Sequence, residues 1–175
     1  MRPLSRFALL TLLAMLAVPL AGAAELTPHR AEYKVRISVL SGRLSTELKA
    51  TEDGYVATHV VKPTGMSKLL AGGQMRVSSA FTPVEDGVRP VTYHAVDTIR
   101  NEPEAQIRFD WSTYQATGTV GGDEVVLELD GLSHDSVSIQ YELMFDLLTN
   151  QPSSKYVLFH VDKMRIANVR EVVNK

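Results

Sequence analysis

The chain has 175 residues, no cysteine, and a net charge of −2 from 18 Lys and Arg against 20 Asp and Glu. Without cysteine there is no disulfide framework, no Cys-based zinc site, no thiol nucleophile and no lipobox cysteine for lipid attachment. A mildly acidic chain with no basic cluster along its sequence is a poor nucleic-acid binder, and a domain of this length buries enough surface to fold without a staple.

Arg2 and Arg6 give the N-terminus a positive start, Phe7 to Leu20 is an apolar run, and Ala21-Gly22-Ala23-Ala24 supplies small residues. That order describes a secretory signal peptide, with residues 1–23 removed by cleavage after Ala23 or Ala24. The apolar run is shorter than the ~20 residues a membrane-spanning helix needs. The expectation is an exported, periplasmic protein that is not a lipoprotein, with one β-rich domain over residues 24–175.

Strands dominate the rest of the chain. Ala31, Tyr33, Val35, Ile37 and Val39 alternate with Glu32, Lys34, Arg36 and Ser38, giving one dry and one wet face. Ser41-Gly42 turns the chain, Leu44 to Ala50 continues the alternation, and Asp53-Gly54 is a favoured hairpin dipeptide before a third strand, Tyr55 to Lys62. Pro63-Thr64-Gly65 ends it. Met66 to Leu70 reads as a helical turn or an apolar loop. Further strands are predicted over Gln74–Phe81, Val91–Thr98, Gln106–Trp111, Thr113–Val120 and Val125–Leu129, with Asn101-Glu102-Pro103 and Gly121-Gly122-Asp123 as turns. Strands at this spacing indicate an antiparallel sheet, sandwich or barrel.

The spacing of Val137, Tyr141, Met144 and Leu148, widened by Ile139, Phe145 and Leu147, predicts one amphipathic helix over 135–149. Asp135 is its expected N-cap, and Asn150 and Pro152 end it. Tyr156 to Val161 returns to strand, Asp162-Lys163 resembles a hairpin turn, and Met164 onward could begin one more strand. The fold class is therefore mainly β: a curved antiparallel sheet, or partly open barrel-like meander, with one helix packed on it near the C-terminus.

From Ala31 to about Ile166 the chain resembles the domain-of-unknown-function 3108 family of exported bacterial proteins. The residues that carry this are Ala31-Glu32-Tyr33-Lys34-Val35, Val77-Ser78-Ser79-Ala80-Phe81, Arg89-Pro90-Val91-Thr92-Tyr93, Ile107-Arg108-Phe109-Asp110-Trp111 and Asp130 to Ser138. The resemblance implies an exported, mostly β domain of unassigned function. It also implies further strands after Tyr156–Val161, and Ala167 to Lys175 do not look like that continuation, so the expectation is either a short variant of the domain or one lacking its C-terminal strands.

No motif asks for catalysis, metal or cofactor. His134-Asp135-Ser136 holds the residue types of a hydrolase triad, but adjacent residues cannot form the relay, and a helix start is the better reading. His29, His59, His94, His134 and His160 show no ligand spacing. The paired acids Glu52/Asp53, Glu85/Asp86, Glu102/Glu104 and Asp123/Glu124 lie beside Gly or Pro in predicted turns. A hydrolase would need at least two ionisable side chains converging in one cleft. Met66, Leu69, Met75, Tyr141, Met144 and Phe145 are the candidate lining of an apolar ligand cavity, with core packing as the competing role. The leading expectation is a non-enzymatic binding or accessory domain for an apolar small molecule or a cell-envelope partner. A structural envelope protein with a filled core is the alternative.

Overall fold

The computed structural model describes residues 26–37, 40–70, 72–150, 153–160 and 163–168. The expected signal segment, Val39, Pro152, Asp162 of the expected hairpin turn, and residues 169–175 lie outside them.

Eight strands form one antiparallel meander in chain order: β1 (His29–Ile37), β2 (Leu40–Thr51), β3 (Gly54–Pro63), β4 (Met75–Val84), β5 (Gly87–Asp97), β6 (Glu102–Asp110), β7 (Gln115–Val120) and β8 (Asp123–Glu128). The sheet does not close. A short helix, α1 (Ser67–Leu70), sits between β3 and β4, and α2 (Ser138–Thr149) follows the sheet. A small second sheet places β10 (Lys155–His160) between β9 (Ser133–His134), which runs parallel to it, and β11 (Lys163–Asn168), which runs antiparallel.

Register carries the alternation across the whole sheet. Leu48, Ala57, Ser79, Tyr93, Ile107, Gly118 and Val125 face one another in a single row from β2 to β8. A period of two then puts every second residue on the same inner face. Two bulges reset it, at Ala80/Phe81 opposite Pro90 and near Ala95/Asp97. Pro90 has no N–H for a ladder, so an irregularity is where it fits.

Two parts of the inner face are covered. Phe81, Tyr55, Leu48, Ala57 and Val88 pack beneath Val137 and Tyr141. Ile107, Phe109, Ala116 and Leu129 pack against Phe159 of β10. Between them Trp111 stacks on Phe109, centroids 6.2 Å apart, and its Nε1–H donates to the Pro90 carbonyl at 2.7 Å.

Four sequence expectations change here. Ser41 and Gly42 are not the turn expected of them: they belong to β2, where they pair with Arg36 and Val35, because the β1–β2 ladder runs on to Ile37 opposite Leu40. Glu102 and Pro103 belong to β6, and the turn falls just before them, where Asn101 takes φ 54°. The helix begins at Ser138, three residues after Asp135. Its buried side is also not the apolar one: Ser138, Tyr141, Glu142, Phe145 and Asp146 face inward, whereas Met144, Leu147 and Leu148 are exposed. Periodicity measures apolarity, and here polar contacts set the helix rotation instead.

Phe81 is 1% exposed and stacks on Tyr55 and Tyr141 at 5.8 and 5.1 Å. Phe81→Ala is expected to cost about 3–5 kcal/mol of folding stability, measured by urea unfolding followed through Trp111 fluorescence and far-UV circular dichroism together.

Candidate functional site

Two places on the molecule combine shape with chemistry. The first is the end of the inner face that α2 does not reach. Beyond the row of Thr46, His59 and Val77, the register continues through Tyr33, Leu44, Val61, Met75 and Asp97, then Val35, Gly42 and Pro63. These are mostly apolar positions, yet among the described residues no large element lies over them. The result is a hollow of about 500 Å³, lined by Val35, Leu40, Val61, Pro63, Met75 and Ile99 among others. Ser67 holds α1 at its rim, where the Oγ accepts the Ser41 N–H at 2.7 Å. Gly42 thins one wall: a Cβ there would meet Val35 Cγ2 at 3.3 Å and the Lys62 carbonyl at 3.1 Å.

Asp97 closes the far side. Burial opposes its charge, but the backbone N–H and guanidinium of Arg100, with the Ile99 N–H, outweigh that and hold it below the ordinary carboxylate range. Arg100 is drawn further by Glu102 at 3.0 Å.

The second place is a polar cleft of about 290 Å³ between α2 and β10, lined by Asp86, His134, Glu142, Phe145, Asp146 and Tyr156. Glu142 and Asp146 sit one helical turn apart on the buried side of α2. Glu142 Oε2 accepts the Val88 N–H at 2.7 Å and lies 4.0 Å from His134 Nε2. Gly87, at φ 141°, leaves room for that carboxylate, which any Cβ would strike. Asp146 Oδ2 accepts the Tyr156 hydroxyl and the Ser153 N–H. His134 Nδ1 is buried and has no hydrogen-bond partner among the described residues.

Ionisable groups therefore do converge in one cleft, the minimum that a hydrolase would require. Their bonds do something else. Each carboxylate fastens α2 to a neighbouring element, Glu142 to β5 and Asp146 to β10 and its approach. None of the acid pairs picked from the sequence takes part as a pair; Asp86 alone reaches the cleft's edge. Nothing in composition or spacing marked Glu142 and Asp146, which fall opposite the apolar stripe of the predicted helix and are buried only by the helix rotation seen in the structure.

Asp135 is not the N-cap expected of it: Val137 holds that position without a side-chain cap bond, and Asp135 acts on the helix start from two residues further back. Its Oδ1 accepts the N–H groups of Val137 and Ser138 at 2.8 and 2.9 Å, and its Oδ2 accepts the Ser79 hydroxyl of β4 at 2.6 Å. Burial raises its pKa, opposed by those donors. The Ser136 hydroxyl is 3.2 Å from the Tyr93 hydroxyl, so the three adjacent residues point to different partners. His59 is buried on the inner face, 3.4 Å from Gln140 Nε2, and His94 pairs with Glu104 on the outer face at 2.8 Å. The two histidines do not meet.

The six residues expected to line one cavity are divided among several places. Met75 lines the apolar hollow, with Met66 and Leu69 exposed on α1 and the turn before it. Tyr141 is core, Phe145 lines the polar cleft, and Met144 faces solvent. Among the described residues no group of His, Asp and Glu could hold a metal ion, and no helix is long and apolar enough to cross a membrane. Compared with family models, curated proteins and solved structures, the chain matches none.

Burial pushes Glu142 up to about 7, helped by Asp146 and Asp86, and pushes His134 down to about 4 against the pull of Asp146. Glu142 thus favours the fold at low pH, and its contribution fades as pH rises through 7. His134 favours it at high pH, and its contribution fades as pH falls toward 4. Between those limits the unfolded pair holds its one proton on histidine and the folded pair holds it on glutamate, so the two dependences nearly cancel. Glu142→Gln should therefore lose about 2 kcal/mol relative to wild type between pH 7 and 5, and His134→Gln should shift by a similar amount in the opposite direction. Urea unfolding of the three proteins at both pH values measures this.

Proposed function

We propose that the chain is an exported, periplasmic binding or accessory domain that holds an apolar, chain-like small molecule in the open end of its sheet. The observation that carries this reading is the uncovered stretch of apolar inner face over β1 to β4. A sheet face rich in Val, Leu and Met is ordinarily buried against something. Here α2 covers the middle of the sheet and β10 covers β6 to β8, but Val35, Leu40, Val61 and Met75 border a hollow. Its volume falls within the range of small-molecule sites. Each methylene moved there from water would contribute about 0.8 kcal/mol. The signal-like N-terminus and the likeness to an exported bacterial family support placing this in the periplasm. The polar cleft, whose carboxylates are spent on fixing α2, supports a role other than catalysis.

The test uses delipidated protein and a neutral fluorescent probe, N-phenyl-1-naphthylamine. One probe per chain should bind, and a long-chain fatty acid should displace it. Val61→Trp, which fills the hollow, should weaken probe binding roughly tenfold or more while leaving the melting temperature close to that of wild type. Absence of probe binding in the wild type, or unchanged binding in the variant, would overturn the reading.

A further inference from the structure

The end of the sheet that holds the apolar hollow carries an unusual outer face. Lys34 lies directly opposite Arg43, and Arg43 directly opposite Lys62, in one row across β1, β2 and β3. All three are exposed. Like charges facing each other across strands destabilise a sheet, so stability does not account for the row. Glu32 engages Arg43 at 2.9 Å and compensates part of it. Lys34, Arg36 and Arg43, with Thr64, line a second hollow of about 390 Å³ on this outer side. It shares Val35, Ser41 and Gly42 with the apolar one, so a single strand ladder separates the two.

Beside these hollows stand the three most exposed large apolar side chains among the described residues. Met66, Leu69 and Leu70 are 74%, 78% and 74% exposed, Leu40 is 39% exposed, and Lys68 stands among them. Single exposed leucines are unremarkable, but several gathered at one tip and ringed by cations are an interaction surface. Such a combination fits a layered partner with an apolar interior under a negatively charged skin. That description is an anionic bilayer.

We propose that this end of the sheet docks on an anionic phospholipid bilayer. Leu40, Met66, Leu69 and Leu70 enter the headgroup boundary, and Lys34, Arg43, Lys62 and Lys68 meet the phosphates. Docking stands on the tip and the cationic row alone. That it sets the mouth of the apolar hollow against the acyl chains, so that a lipid-derived molecule can pass between them, rests on the function proposed above.

Co-sedimentation of the full chain with vesicles tests it, using phosphatidylcholine alone and phosphatidylcholine containing about a third phosphatidylglycerol. Binding should require the anionic lipid and weaken steeply as salt is raised. The triple variant Lys34→Gln, Arg43→Gln, Lys62→Gln should lose roughly 100-fold in affinity. Leu69→Asp with Leu70→Asp should lose at least as much, and both changes are on exposed positions, where melting temperature verifies the fold. Leu69→Asp with Leu70→Asp should still bind the neutral probe, and Val61→Trp should still bind vesicles, so the two proposals fail separately. Equal binding to both vesicle types, no binding to either, or binding unaffected by the α1 variant would overturn docking. Capture by soluble polyglutamate without binding to vesicles would overturn it in favour of an acidic protein partner.

Discussion

A fully buried carboxylate, that of Asp135, is the constraint that arranges the other parts. Taking a charge out of water is costly unless its oxygens are satisfied. Here they are satisfied from two sides: Val137 and Ser138 present the free N–H groups of the coming helix, and Ser79 presents a hydroxyl from the middle of the sheet. One side chain therefore starts α2 and pins that start to β4. Once the first turn is fixed there, the helix has one available rotation. Tyr141 falls onto Phe81, and Glu142 falls onto Val88 beside Gly87.

That rotation also decides what is left over. With its polar residues turned inward, α2 has its leucines near the C-terminus in water, and it lies over the middle of the sheet. The strands β1 to β4 run on past it. Their apolar residues, which a longer lid would have covered, instead border a hollow. The cleft and the hollow are thus linked by cause: a helix secured by hydrogen bonds covers the stretch of sheet it is fastened to and leaves the far ends of β1 to β4 without a lid among the described residues.

Most strands of the large sheet were readable in the sequence because they carry period-two alternation and are bounded by Gly, Asn or Asp turns, although Gly42, read as a turn, lies inside β2. The helix was readable because Asp135 and Asn150 bracket a three-and-four spacing. Its orientation was not, since apolarity at Met144, Leu147 and Leu148 outweighed the inward pull of Glu142 and Asp146, whose partners Val88 and Tyr156 lie far off or on another element. The two-residue strand β9 was equally hidden, because Ser133 and His134 acquire strand character only by lying beside β10. The cationic row is the clearest case of information absent from the linear chain. Lys34, Arg43 and Lys62 stand far apart along the sequence and become neighbours only through register. Met66 and Leu69 beside a glycine-rich bend did point to an apolar feature, but joining them to the helix required a proximity that the fold does not supply.

The partition at Gly42 has an outcome of its own. It is one peptide layer thick, greasy on one surface and ionic on the other, and the missing side chain keeps it thin. On the function proposed above, an amphiphile at this rim would find apolar lining for its tail on one side and cationic side chains for its head on the other. Any such guest would have to straddle the edge in a single orientation, giving the domain a sense of direction.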